Sequence, residues 1–242
     1  MIRAARAAWR GLLGDVHAPS AVVLLYAAVV LSLTEYLFLP SVAARTRIPA
    51  LMGSWAPPDL ASGLTWAAST WTFFLILPAV AVRACGRSLA SIGWSTRGLG
   101  RHLGVYALLY AGMTPLLYVA SKRPDFVALY PFVPSARLEL RWFVVWEAAY
   151  LLQFLALEAF FRGALLFTLA ERFGRTAIFV AVVPYVMIHF HKPLPECLGA
   201  AVAGTVLGAL ALRFRSFLGG ALLHGAVGLT MDLLATRRAG GI

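Results

Sequence analysis

The sequence predicts an all-α protein, a polytopic transmembrane bundle of roughly seven to eight helices at about 20 residues per span. Composition is the first reason. Of 242 residues, 61% are hydrophobic and 13% charged, where soluble domains run near ~45–50% and ~25%. The second is the length of the uncharged runs: Leu60 to Val82 and Leu103 to Ser121 contain no Asp, Glu, Lys, Arg, His, Asn or Gln. The third is that Glu158, Arg162, His189 and His224 lie inside stretches that are otherwise almost wholly apolar. A charge at bilayer depth costs roughly 3 to above 10 kcal/mol, so such residues mark chemistry.

Spans and loops use up the whole length, so residues 1–242 are read as a single integral membrane domain. Residues 1–20 open it as a basic amphipathic segment carrying Arg3, Arg6 and Arg10. No small-residue cleavage site is evident after it, and it is read as leading into a retained first helix over 20–39. Helices two and three follow at 60–82 and 103–121, with Pro78 and Pro115 as expected kinks. The arginine-rich connection between them, which contains Ser91-Ile-Gly-Trp94, reads as a basic interfacial segment.

The second half has a different character. Residues 142–169 hold Glu147, Gln153, Glu158 and Arg162; 176–188 run directly into His189; 197–212 are small and glycine-rich; 217–234 hold His224 and Asp232. The first half is scaffold, and 142–234 are the candidate catalytic helices. No internal repeat is evident, which speaks against an inverted-repeat transporter. Basic residues divide almost evenly between the two sides, so the positive-inside rule orients the chain only weakly. Net charge is +11, but it sits in short loops and at the termini with no aromatic-rich basic face. That pattern fits anionic lipids and no nucleic acid. Cys85 and Cys197 lack metal-ligand spacing and read as inert packing residues.

Glu158 and Arg162 stand four apart, on one helical face. They form either a salt bridge that neutralises both in lipid or part of a reactive site. Glu147 lies on nearly the same face but roughly 16 Å away, too far to share a water with Glu158. It reads as an interface residue or a polar support. His189 sits at a helix end fixed by Pro193 and Pro195, with His191 beside it. A lone histidine there reads as a hydrogen-bonded packing residue. His224 changes the weighing, because two buried histidines and a carboxylate on three helices are more than packing requires. A carboxylate can take a proton from water while imidazoles bind a metal or donate to an oxyanion. His224, Gly228 and Asp232 form one stripe on the last helix, so Asp232 either orients His224 or meets headgroups beside Arg237 and Arg238. Gly204-x-x-x-Gly208 and Gly225 read as tight helix packing.

Glu158-x-x-x-Arg162-Gly163, Tyr185-x-x-x-His189 and the late His224 together resemble the motifs of the CPBP intramembrane proteases, which include the type II CAAX prenyl endopeptidases. The resemblance covers roughly 142–234, and Ser91-Ile-Gly-Trp94 fits it too. It implies a helical membrane bundle with a conical cavity, and peptide hydrolysis at the membrane. It further implies that His189 is the water partner, His224 the oxyanion or metal group, and Arg162 the residue holding Glu158. Two positions depart from the family pattern. The first of its paired glutamates is Leu157 here, and the asparagine four residues after the last histidine is Gly228. A single-glutamate branch would use Glu158 as base, with Asp232 or His191 in a supporting role. The segment 189–196 resembles that of bacterial members assigned to processing C-terminal sorting anchors, which implies a membrane-anchored protein substrate and a bacterial inner membrane. Zinc is a candidate cofactor on Glu158, His189 and His224, although the usual His-Glu-x-x-His helix is absent. The alternative is a catalytically degenerate binding or immunity factor of the same fold, with a transporter third.

Overall fold

The computed structural model describes Gly14, residues 16–46 and residues 55–242. Most of the basic segment 1–20 therefore lies outside the described residues, as does Arg47. Among those described, no residue is in a strand. The principal helices are α1 (Ala18–Phe38), α2 (Pro58–Ala84) and α3 (Leu99–Ala120), then α4 (Leu140–Glu158), α5 (Leu166–Phe173), α6 (Ala177–Met187), α7 (Leu194–Phe214) and α8 (Leu218–Arg238). A π-helical stretch, Ala159–Leu165, joins α4 to α5 without a break.

Among the described residues, six helical runs are long and apolar enough to cross a membrane, so the chain is a multi-pass membrane protein. The longest, Leu140–Met187, has 48 residues and doubles back. Gly174 takes φ +53° in the turn Gly174–Thr176, and Phe161 and Tyr185 then meet with ring centroids 5.4 Å apart. This hairpin is the centre of the molecule: 72% of its most apolar window is buried, against 11% for α3. Buried charge is confined to the second half among the described residues. The buried charged groups Glu147, Glu158, Arg162 and Asp232 all lie beyond residue 139, while α1 and α2 bury only Ser and Thr among their polar residues.

Pro78 follows another π-helical stretch, Trp71–Ile76, which absorbs the missing proline N–H by widening the turn. Pro115 sits inside a continuous α3. The glycines of α7 act as expected. A Cβ on Gly204 would lie 3.1 Å from Tyr185 and Val182, and one on Gly208 would lie 3.1 Å from Ile178, so α6 and α7 pack with little between their backbones. Cys85, read as a packing residue, is instead exposed at the end of α2.

Ser91-Ile-Gly-Trp94 departs from the interfacial reading by turning inward. Ile92 is 1% exposed, and Trp94 meets Phe217 edge-on at 5.0 Å. Its backbone lines the start of α8, with Phe217 N–H donating to Gly93 O at 3.4 Å and Ser216 Oγ to Ser95 O at 2.6 Å. Gly93 has φ +86°, and a Cβ there would stand 2.8 Å from Phe167. Gly93→Ala is expected to destabilise the bundle by roughly 1–3 kcal/mol through strain and overpacking. A fall in unfolding temperature in detergent would measure it.

Candidate active site

Glu158 ends α4 and is 0% exposed. Its Oε1 lies 3.1 Å from Arg162 Nη1 and accepts a hydrogen bond from His224 Nδ1 at 3.0 Å. The ion pair of the first reading is thus present, and the same carboxylate faces a histidine. Arg162 approaches Glu158 off the hydrogen-bonding axis, so neither of its terminal nitrogens has a hydrogen-bond partner among the described residues. Its guanidinium lies over the Tyr185 ring instead, 3.7 Å from the centroid, an arrangement that attracts strongly in a dry interior.

Glu158 Oε2 has no hydrogen-bond partner either, and it faces Gly220, where a Cβ would stand only 3.1 Å away. A side chain at position 220 would press on that oxygen. Arg162 lines a cavity between α6 and α7 that has room for about one water, walled by Ile178, Val182, Tyr185, Gly204 and Gly208.

Because Nδ1 of His224 carries the hydrogen that Glu158 accepts, the ring presents Nε2 away from the carboxylate. His189 is held in the same tautomeric sense. Its Nδ1–H donates to Tyr185 O at 2.9 Å, leaving Nε2 with a lone pair. Burial first, then the nearby Lys192 ammonium, lowers its pKa from 6.5 to about 3, so the ring is neutral near pH 7. Tyr185 joins these groups: its ring lies 4.8 Å from that of His189 and 6.3 Å from that of His224, as well as under Arg162. The sequence signal for it was the aromatic residue four before His189, and its part as hub comes from the α5–α6 hairpin.

The depressed His189 pKa has a consequence for stability. Below pH 6.5 the unfolded chain protonates this imidazole and the folded one does not, so stability falls as pH drops from 6.5 toward 3. At pH 5 the loss is roughly 2 kcal/mol. His189→Gln is expected to remove that part of the acid sensitivity, read as unfolding temperature against pH.

Other expected contributors are placed elsewhere. His191 is a surface residue at φ +70°, its side chain 81% exposed and 3.6 Å from Glu35. Asp232 neither reaches headgroups nor contacts His224. It is 0% exposed, and its Oδ2 accepts the Trp146 indole N–H at 2.8 Å. Glu147 is its neighbour on α4. No group of three His, Cys, Asp or Glu side chains among the described residues is arranged to hold a metal. With Glu158 Oε1 already engaged by Arg162 and His224, the candidate zinc set does not fit an ion as it stands.

The Gly228 departure has a structural partner. A Cβ at Gly228 would fall 2.2 Å from Phe154, and that ring packs against His224 with centroids 4.5 Å apart. Phe154 occupies the space into which a side chain at 228 would project.

With this geometry in place, comparison with known proteins finds one similarity, in the second half of the chain. Residues 139–230 match the family model described as type II CAAX prenyl endopeptidase Rce1-like. That segment, somewhat under half of the chain, is similar to the Rce1-like family. The match spans α4 through most of α8, takes in Glu158, Arg162, His189 and His224, and agrees with the CPBP protease motifs. No curated protein and no solved structure matches the chain. The Rce1-like family is one of peptidases, and among the described residues the buried Glu147, Glu158 and Arg162 lie inside the matched segment, with Asp232 just beyond its end.

Proposed function

We propose that the protein is an intramembrane endopeptidase that cleaves a membrane-associated or C-terminally anchored protein by water activated at the Glu158–His224 pair. The observation that carries this reading is the 3.0 Å contact from His224 Nδ1 to Glu158 Oε1 inside an Rce1-like segment. A carboxylate that fixes one imidazole nitrogen leaves the other poised to accept a proton and balances the imidazolium that forms. In this scheme the oxygen of water attacks the scissile carbonyl carbon while its proton passes to His224 Nε2. His189 Nε2 accepts the second hydrogen of the same water and so orients it. When the tetrahedral intermediate collapses, the carbon–nitrogen bond breaks and His224 returns the proton to the leaving amine. Arg162 holds Glu158 in place.

The route differs from direct proton transfer to Glu158: the carboxylate acts through the imidazole that its Oε1 already holds. Leu157 supports the same route, since the paired glutamate of the family pattern is missing at that position.

The test compares C-terminal peptides of membrane and exported proteins, by mass spectrometry, from cells carrying the wild-type chain or His224→Gln at equal expression. Substrates left uncut only with the variant are expected. Identical peptide profiles would favour the second reading, a binding or immunity factor that retains the fold without cutting. Leu157 and the Phe154-filled position at Gly228 are what speak for that reading.

A further inference from the structure

Glu147 and Asp232 form a second buried acidic pair, well away from Glu158. Glu147 is 5% exposed and Asp232 0%, and their carboxyl groups come within hydrogen-bonding reach across the α4–α8 interface. As carboxylates both are acceptors only. Accordingly, both oxygens of Glu147 and Oδ1 of Asp232 find no donor. No cation among the described residues is bonded to either. Arg137, on the turn before α4, and Lys192 are near enough for their charges to act on Asp232, but Arg137 Nη2 donates to Val127 O and Tyr130 O, and Lys192 pairs with Glu196 at 2.8 Å. The remaining ionisable neighbours are Tyr130, Tyr150 and Glu196, none of them a cation. Two carboxylates in contact in such an interior cannot both stay ionised.

The pair is connected to His224 by a column of rings. Trp146, which donates to Asp232, stacks on Tyr150 at 4.8 Å. Tyr150 lies 4.4 Å from Phe154, and Phe154 lies 4.5 Å from His224. These rings are spaced by four along α4, and Gly228 of α8 is pressed against the last of them. The distance between α4 and α8 at the acidic pair therefore sets where Phe154, and with it His224, can sit.

We propose that Glu147 and Asp232 hold a single proton between them, and that this protonated pair is a positioning device that keeps His224 in register with Glu158. The positioning half rests on the reading of His224 as the base. Without the shared proton, two anions would face each other across the interface and drive the helices apart. With it, the contact becomes a short-range bond that closes the lower end of the column.

Infrared spectra of the full chain in lipid nanodiscs test the proton. Near neutral pH the wild type is expected to show the carbonyl stretch of a protonated carboxylic acid, shifted in deuterated water and lost in Glu147→Gln or Asp232→Asn. Absence of that band, or its survival in both variants, overturns the proposal. Positioning is read from the imidazole nitrogen NMR resonances of His224, assigned by their loss in His224→Gln. Glu147→Gln, whose amide can donate where the proton did, is expected to leave them in place, and Glu147→Leu to move them. Unmoved resonances in Glu147→Leu overturn the positioning role. On a substrate found by the peptide comparison, Glu147→Leu is expected to lower kcat about 10- to 100-fold with little change in KM, and Glu147→Gln to restore it. Neither spectroscopic result depends on cleavage, so a protein that shows both but cuts nothing counts against the proposed function alone.

Discussion

Replacing Glu158 by glutamine is expected to reduce cleavage by roughly 100- to 10,000-fold, the scale of general acid–base catalysis. The glutamine amide still fits, but it no longer balances charge on His224. It also leaves the Arg162 guanidinium, 3% exposed, without a counter-charge, and breaking a buried ion pair costs about 3–5 kcal/mol. Loss of activity in this variant alone would therefore mix chemistry with stability. The double variant Glu158→Leu, Arg162→Met separates them. Replacing a buried pair by apolar side chains of similar volume is often neutral or stabilising, so its unfolding temperature should return to the wild-type value while cleavage stays absent. A double variant that is stable and still cuts at a wild-type rate would reduce Glu158 to a packing residue and sink the proposed relay.

Restoring an asparagine at position 228 is expected to harm this protein, although the family pattern has one there. The new Cβ would fall 2.2 Å from Phe154, and overpacking of this kind costs about 1–3 kcal/mol. The ring cannot move aside without leaving His224. Gly228→Asn is thus expected to lower both unfolding temperature and cleavage. Phe154→Ala alone removes a buried ring, 5% exposed, and should cost about 3–5 kcal/mol. Together the two changes should cost less than their sum, by about 0.5–3 kcal/mol, the range found for residues in contact. Additive costs in a denaturant double-mutant cycle would show that Phe154 and residue 228 do not compete for one space.

The fold was readable because a membrane protein declares its helices by what they omit. The uncharged runs at 60–82 and 103–121 placed α2 and α3 to within a few residues of 58–84 and 99–120. Glu158 and Arg162 were readable as a pair because four residues along a helix is a local relation. The partner of each pair was not. Asp232 looked like an escort of His224 because both lie on one stripe of α8, yet its neighbours come from α4, and only the antiparallel packing of the two helices brings Trp146 and Glu147 to it. Ser91-Ile-Gly-Trp94 was read as interfacial from the arginines around it, whereas its apolar residues follow their own solvation and turn inward against Phe217. His191 shared a short segment with His189, but the positive φ at His191 sends the chain, and that ring, outward.

The π-helical stretch between Glu158 and Leu166 carries a further consequence, one of phase. A π turn holds one residue more than the α turn it replaces, so it works as a fixed delay between two rotating registers. Upstream, the register aims Trp146, Phe154 and Glu158 at α8; downstream, it aims Leu166 and Phe167 at α6 and at the Ser91–Trp94 segment. Deleting one residue from 159–165 would let the stretch close as ordinary α-helix and leave everything after it facing nearly where it does now, whereas deleting one residue from the regular part of α4 would turn everything after it by about 100°. Each side chain beyond such a cut in α4 would keep its chemistry but face the wrong neighbour. The wide turn is the one place along this helix where the gene can lose a codon and keep the phase.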